Sequence, residues 1–221
     1  MANCNTKFSQ KIAFISQNTP AHLCSKWHDT NFQIVKAGSD ADAADYFLKD
    51  RVVSQVIQDK RGYFLESFNQ AVFKEGIKQD VNFVQDNQST SCYGVLRGLH
   101  YQCGEHAQAK LVRVLNGEVL DVAVDIRPNS PTYGQYESIL LTGDNQKQFF
   151  VPRGFAHGFV VLSDSAVFFY KCDNFYNKES EGGIIFNDNS LNIDWNFPTE
   201  NLIISEKDIV LPTLENAKKA W

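Results

Sequence analysis

The stretch GVLRGLHYQ, residues 94–102, carries an arginine and a histidine three positions apart inside an otherwise apolar run. A guanidinium offers a planar fork of donors that matches phosphate oxygens in pairs, and an imidazole changes charge near neutral pH and so suits proton removal. Arg97 and His100 together point to an anionic substrate that is held while it loses a proton. On an ideal strand, residues three apart face opposite ways, so the two share a site only if the chain bends between them. Gly98 is where a bulge costs least, and a distortion is expected there.

A second histidine, His157, lies in VPRGFAHGFVV, where Pro152 and Gly154 shape a turn before the next apolar run. The order P-x-G-x-x-H, downstream of a strand carrying His100, is the layout of a cupin barrel. Cupins usually bind a metal through H-x-H, a glutamate and the later histidine, but here the first position reads His100-Tyr101-Gln102. His100, Glu105 and His157 could gather round a metal, with Gln102 a poor fourth ligand. The missing second imidazole argues against it, because a catalytic site needs three good ligands and an open position. Asp121 and Asp125 share one face of a strand and read as partners of barrel arginines rather than as a carboxylate pair for glycoside cleavage.

Strands must position these groups. The chain has seventeen Phe and eight Tyr, and from about Val52 onward short apolar runs alternate with turn residues, a pattern of strands at roughly ten-residue spacing. Strands are expected at 81–85, 95–102, 137–141, 147–151, 158–162, 166–170 and 183–186. Asn116-Gly117 reads as a tight hairpin turn between two alternating arms. On the second arm Val119, Asp121, Ala123 and Asp125 face one way, and Leu120, Val122, Val124 and Ile126 the other. Helices are expected in ESFNQAVFKEGI, capped by Ser67 or Asn69, and in TLENAKKAW. The fold class is therefore mainly β: an antiparallel jelly roll or barrel with a few short helices.

Composition removes several functions. The 221 residues carry a formal charge of −5 with no basic run, which argues against nucleic-acid binding. Five scattered cysteines without a C-x-x-C pair suggest reduced thiols in a cytoplasm rather than a disulfide framework. No apolar run approaches membrane-spanning length, and a soluble, unsecreted protein is expected.

Several stretches in order carry a family resemblance: DKRGYFLESFNQ, NFVQDNQSTS, GVLRGLHYQ, HAQAKLVRVLNGEVLDVAVDIRPNSPTYGQ, VPRGFAHGFVVLS, FYKCDNFYNKESEGGIIFND and ISEKDIVLP. Together, over about Val53 to Leu214, they resemble the dTDP-4-dehydrorhamnose 3,5-epimerase family. That resemblance implies a metal-independent cupin jelly roll without a cofactor, normally a homodimer, acting on a dTDP-sugar in dTDP-L-rhamnose biosynthesis. It implies His100 as the base, Asp208 behind it, Lys110 facing the developing oxyanion and Tyr170 as the acid. It also implies substrate contacts from Arg61, Glu66, Gln85, Asp86, Asn87, Arg97, His157, Tyr176 and Glu181, with Tyr176 stacking on thymine. Residue types agree with the chemistry, since inversion beside a ketone needs a base, an enolate donor and an acid on the opposite face. Residues 51–221 form the expected cupin epimerase domain. Residues 1–50 read as an N-terminal extension of unknown role that could include a dimer or edge strand. Rival readings are a 3-epimerase for another dTDP-deoxysugar, a metal-dependent cupin enzyme, and a binding module without catalysis.

Overall fold

The computed structural model describes residues 34–36 and 56–220, so most of the expected extension lies outside the described residues. The elements in order are β1 (Ile34–Lys36), β2 (Val56–Asp59), β3 (Gly62–Leu65), α1 (Gln70–Ile77), β4 (Gln85–Cys92), β5 (Val95–Gln102), β6 (Lys110–Asn116), β7 (Glu118–Asp125) and β8 (Tyr136–Thr142). They continue with β9 (Gln148–Val151), β10 (Phe155–Val161), β11 (Ser165–Cys172), β12 (Glu181–Gly183), β13 (Ile203–Ile204) and α2 (Glu206–Ile209).

One sheet runs β1-β9-β6-β11-β4, and the other runs β12-β5-β10-β7-β8 with β13 added alongside β5. Apart from the parallel pairs β1–β9 and β13–β5, the pairing within these sheets is antiparallel. The two inner faces meet in a core that includes Val112, Val114, Phe149, Ala166 and Phe168 from the first sheet and Val119, Ala123, Leu141, Phe155, Phe159 and Val161 from the second. Fully burying one such side chain contributes about 1.5–3 kcal/mol, so this layer is what clamps the sheets together. The chain also covers both outer faces. Leu120, Val122 and Val124 pack under Ile184, Phe186 and Trp195, and α1 lays Phe73 and Ile77 over Leu111 and Phe150. This is the expected jelly roll, and the split of β7 into two faces is as expected.

Three local expectations are corrected. Asn116-Gly117 joins β6 to β7, but these strands lie in different sheets and do not pair. The turn is a corner that carries the chain across the sandwich, with Gly117 at φ +81° and a Cβ there blocked by the 163–166 turn. The strand expected at 81–85 instead spans Gln85–Cys92, a polar sequence. Of its inward residues, Ser89 lines an open cleft and Asn87 bonds Gln85 and Cys172, so no apolar alternation marks it. In TLENAKKAW only a single 3₁₀ turn forms, over Leu214–Asn216. The helix before the sheets is present, and Asn69 is the cap, its side chain accepting from the Ala71 and Val72 N–H groups. No helix among the described residues is long and apolar enough to cross a membrane.

Candidate active site

At one end the two sheets part around a cleft of about 480 Å³. The six-stranded side supplies Arg97 and His100 from β5 and His157 and Phe159 from β10, and the five-stranded side supplies Lys110 from β6 and Tyr170 from β11. The segment from Ile203 through Asp208 closes one wall.

Arg97 and His100 share this cleft because β5 is bulged. His157 pairs with His100, but Phe159, two residues on, pairs with Arg97, three residues back. The extra residue on β5 brings both side chains to the inner face. Gly98 sits in the bulge with φ +117°, and a Cβ there would lie 2.7 Å from both Gly158 Cα and the His157 carbonyl oxygen. The distortion expected from the sequence is therefore present at the residue expected. Arg97 Nε donates to Ser91 Oγ at 3.0 Å, which aims the guanidinium across the sandwich toward β4.

His100 Nε2 lies 2.7 Å from Asp208 Oδ1. Asp208 is 3% exposed and sits in the first turn of α2, where Ser205 caps its N–H and the Gly98 N–H donates to Oδ2 at 3.3 Å. Burial alone would raise this carboxyl. The bond and charge of His100, with Gly98 and Ser205, outweigh burial and hold it below the usual carboxylate range. Asp208 thus stays ionised behind the imidazole.

Across the cleft, Lys110 Nζ stands 5.9 Å from the centre of the Tyr170 ring. Burial lowers the Lys110 ammonium, with Cys172, Asp121 and Glu181 acting against it. Burial and the neighbouring Cys172 raise the Tyr170 phenol, with Arg97 opposing. Tyr170 therefore keeps its proton well above neutral pH. Phe159 and Phe168 stack at 4.2 Å beside these groups and form an apolar wall.

Sequence reasoning missed Asp121. It does not pair with an arginine: its carboxylate oxygens lie 2.9 and 3.1 Å from His157 Nε2, and the residue is 0% exposed. Burial pushes this carboxyl up, while His157 and Lys110 hold it back. The available signal was a carboxylate on the inner face of a strand, flanked on that face by the apolar Val119 and Ala123. Asp125 does pair with an arginine, Arg127 Nη2 at 2.7 Å.

The substrate-binding residues expected from the resemblance divide into three groups. Arg97 and His157 line the cleft, although His157 commits one ring nitrogen to Asp121. Gln85, Asn87, Tyr176 and Glu181 form a connected rim: Gln85 Nε2 donates to Asn87 Oδ1, the Tyr176 N–H to Gln85 Oε1, and the Tyr176 hydroxyl to Glu181 Oε2. Asp86 is not brought in; it turns to the outer face and pairs with Lys171 at 3.0 Å, as strand alternation between Gln85 and Asn87 dictates. Arg61 and Glu66 also stand outside the cleft, Arg61 at the tip of the β2–β3 hairpin with Asp59 as its partner. Glu105 lies at the surface beside His106, and among the described residues no group of three or more His, Cys, Asp or Glu side chains is placed to hold a metal ion. Arg113 bonds Gln146 outside the cleft, so it does not join Lys110.

The sequence model of the dTDP-4-dehydrorhamnose 3,5-epimerase family matches residues 46–216. The chain belongs to that family. Within the dTDP-4-dehydrorhamnose 3,5-epimerase family it is 56% identical to the enzyme of that name from Shigella flexneri over 155 residues, covering 70% of this chain and 84% of the relative. The crystal structure of the epimerase from Elizabethkingia anophelis superposes with a TM-score of 0.72 at 56% identity, covering 76% of this chain and 91% of that one. A dTDP-6-deoxy-D-glucose-3,5-epimerase from Legionella pneumophila, solved in complex with dTDP-4-keto-L-rhamnose, superposes with a TM-score of 0.71 at 49% identity, covering 74% and 86%.

Proposed function

We infer that this protein is an isomerase that converts dTDP-4-dehydro-6-deoxy-D-glucose to dTDP-4-dehydro-L-rhamnose by proton exchange at sugar carbons 3 and 5. The observation that carries the reading is the division of labour between the sheets. The His100–Asp208 pair stands on one side of the cleft, and Lys110 and Tyr170 stand on the other.

In the proposed mechanism, neutral His100 removes the proton next to the C4 ketone, and ionised Asp208 fixes its tautomer and steadies the imidazolium that forms. Lys110 meets the charge that develops on the ketone oxygen, which makes the enolate accessible. Tyr170, protonated and on the opposing sheet, returns a proton to the other face of the same carbon, so the configuration inverts. Each of these steps uses a side chain of this chain. Arg97 grips the diphosphate with its fork, and the rim from Gln85 to Glu181 with Tyr176 receives the nucleoside.

The reading extends to a cytoplasmic homodimer. The β2–β3 hairpin exposes Ile57, Tyr63 and Phe64, the last 66% exposed, and a lone two-stranded hairpin is marginal in water. A second copy of the chain would cover these rings, and the hairpin would then present Arg61 and Glu66 to the partner's cleft. The function itself is tested by supplying the 4-dehydro sugar nucleotide with a 4-reductase. The expected product is dTDP-L-rhamnose; a product inverted at carbon 3 alone would replace this assignment with that of a 3-epimerase.

A further inference from the structure

His100 has carboxylates on two sides. Asp208 reaches it from α2 at 2.7 Å. The other comes from β12, where Gly183 lies directly opposite His100 and Glu181 directly opposite Gln102. Glu181 is therefore the diagonal cross-strand neighbour of His100, with no side chain at Gly183 between them, a spacing of roughly 7–8 Å that long side chains close further. Two unopposed carboxylates would hold the imidazole in its charged form, in which it cannot take a proton. A cation stands at the second one: Lys207 Nζ lies 2.5 Å from Glu181 Oε1, and the Tyr176 hydroxyl donates to the other oxygen. Lys207 is also the residue before Asp208, so the same ion pair ties α2 to the edge strand β12.

We propose that Lys207 is a positioning residue for the base. By pairing with Glu181 it neutralises the second carboxylate beside His100 and fastens the helix that carries Asp208. This rests on the reading of His100 as the base. The Glu181 carboxyl supports the arrangement: burial would raise it, and Lys207, the charge of His100 and the Tyr176 hydroxyl bring it below its ordinary value. The other charged or titratable groups facing His100 are His157 on β10 with Asp121 behind it, Lys110 and Tyr170 across the cleft, and Arg97 on β5 itself. Substitution at Lys207 removes none of these groups, and the double variant with Glu181→Gln separates the Glu181 charge from any loosening of the helix that carries Asp208.

The test follows solvent deuterium incorporation into the sugar nucleotide against pH. Its variants are Lys207→Met, Lys207→Arg, and Lys207→Met combined with Glu181→Gln. Loss of the lysine charge moves the acidic limb of the rate profile up by about 0.5–1 pH unit, so exchange falls about 3- to 10-fold on that limb and little above neutrality. Lys207→Arg leaves the limb where it is in the wild type, and adding Glu181→Gln to Lys207→Met returns it, whatever that change does to KM. The lysine end of the pair is 57% exposed and the Glu181 end 24%, so the ion pair itself adds little to stability and melting temperatures stay close to wild type. An unmoved limb in Lys207→Met, beside a His100→Asn enzyme that no longer exchanges, overturns the clamp alone. A His100→Asn enzyme that still exchanges overturns the assignment of the base, and the clamp with it.

Discussion

His100 and His157 stand directly opposite each other on neighbouring antiparallel strands, each bonded through Nε2 to its own carboxylate. The two carboxylates are tuned in opposite directions. Asp208, which also accepts from a backbone N–H, is held below its ordinary range, whereas Asp121, wholly buried, is pushed above it. Environments that separate two like groups in this way give them different tasks. This division agrees with the proposed roles, His100 as the base and His157 as a fixed part of the cleft wall.

The shared face depends on Gly98. A Cβ there meets backbone rather than a movable side chain, and the φ of +117° disfavours any L residue. Gly98→Ala should destabilise the protein by about 2 kcal/mol or more and uncouple Arg97 from His100. Urea titration read alongside kcat/KM checks this; unchanged stability with full activity would remove the bulge from the account.

Arg97 should act on binding more than on turnover. Arg97→Ala removes a charge-assisted grip on the diphosphate worth about 1.5–3 kcal/mol, so KM should rise roughly 10- to 100-fold with a smaller change in kcat. Ser91→Ala frees the guanidinium and should shift KM in the same direction by less. Steady-state kinetics of the two variants decides, and a fall in kcat alone would contradict the assignment.

Asp125 supplies a pH-dependent part of stability. Burial would raise its carboxyl, but bonds from Arg127, Ser130 and Thr132 bring it down to about 2. A carboxyl whose folded pKa lies below its unfolded value contributes stability above the unfolded value, near pH 4, and loses it as pH falls toward 2. That contribution is about 2 kcal/mol. Asp125→Asn should lower the melting temperature by about 4–8 °C at pH 7 and by much less near pH 2. A loss of equal size at both pH values would show that the carboxylate charge is not involved.

The hairpin prediction concerns assembly. Phe64→Glu puts a charge on the exposed apolar tip and should shift the protein from dimer toward monomer in sedimentation velocity, with a rise in KM if Arg61 serves the partner's cleft. A monomeric wild type with full activity would exclude that arrangement.

Much of this was legible in the sequence, and the misses share a cause. Arg97, Gly98 and His100 conflict with plain strand geometry, and that conflict itself located the bulge. The inner and outer faces of β7 followed from alternation alone. Alternation does not say which sheet a strand joins, so Asn116-Gly117 resembled a hairpin turn while serving as a corner between sheets. β4 was misplaced because its inward positions are polar, Ser89 lining the open cleft and Asn87 bonding Gln85 and Cys172, which leaves no apolar period to find. Asp121 was missed because its partner lies 36 residues away on β10, a distance that only the fold closes. Asp86 entered the expected set through the family resemblance, whereas alternation along β4 puts it on the face opposite Gln85 and Asn87, where it pairs with Lys171.

The most direct test of the central claim is incubation of wild type and His100→Asn with dTDP-4-dehydro-6-deoxy-D-glucose in heavy water, counting deuterons at carbons 3 and 5 by NMR and mass spectrometry. The account predicts deuterium at both carbons with wild type and a rate lower by about 10²-fold or more with His100→Asn at retained nucleotide binding. Exchange at neither carbon by folded, ligand-binding wild type, or undiminished exchange by His100→Asn, would contradict it.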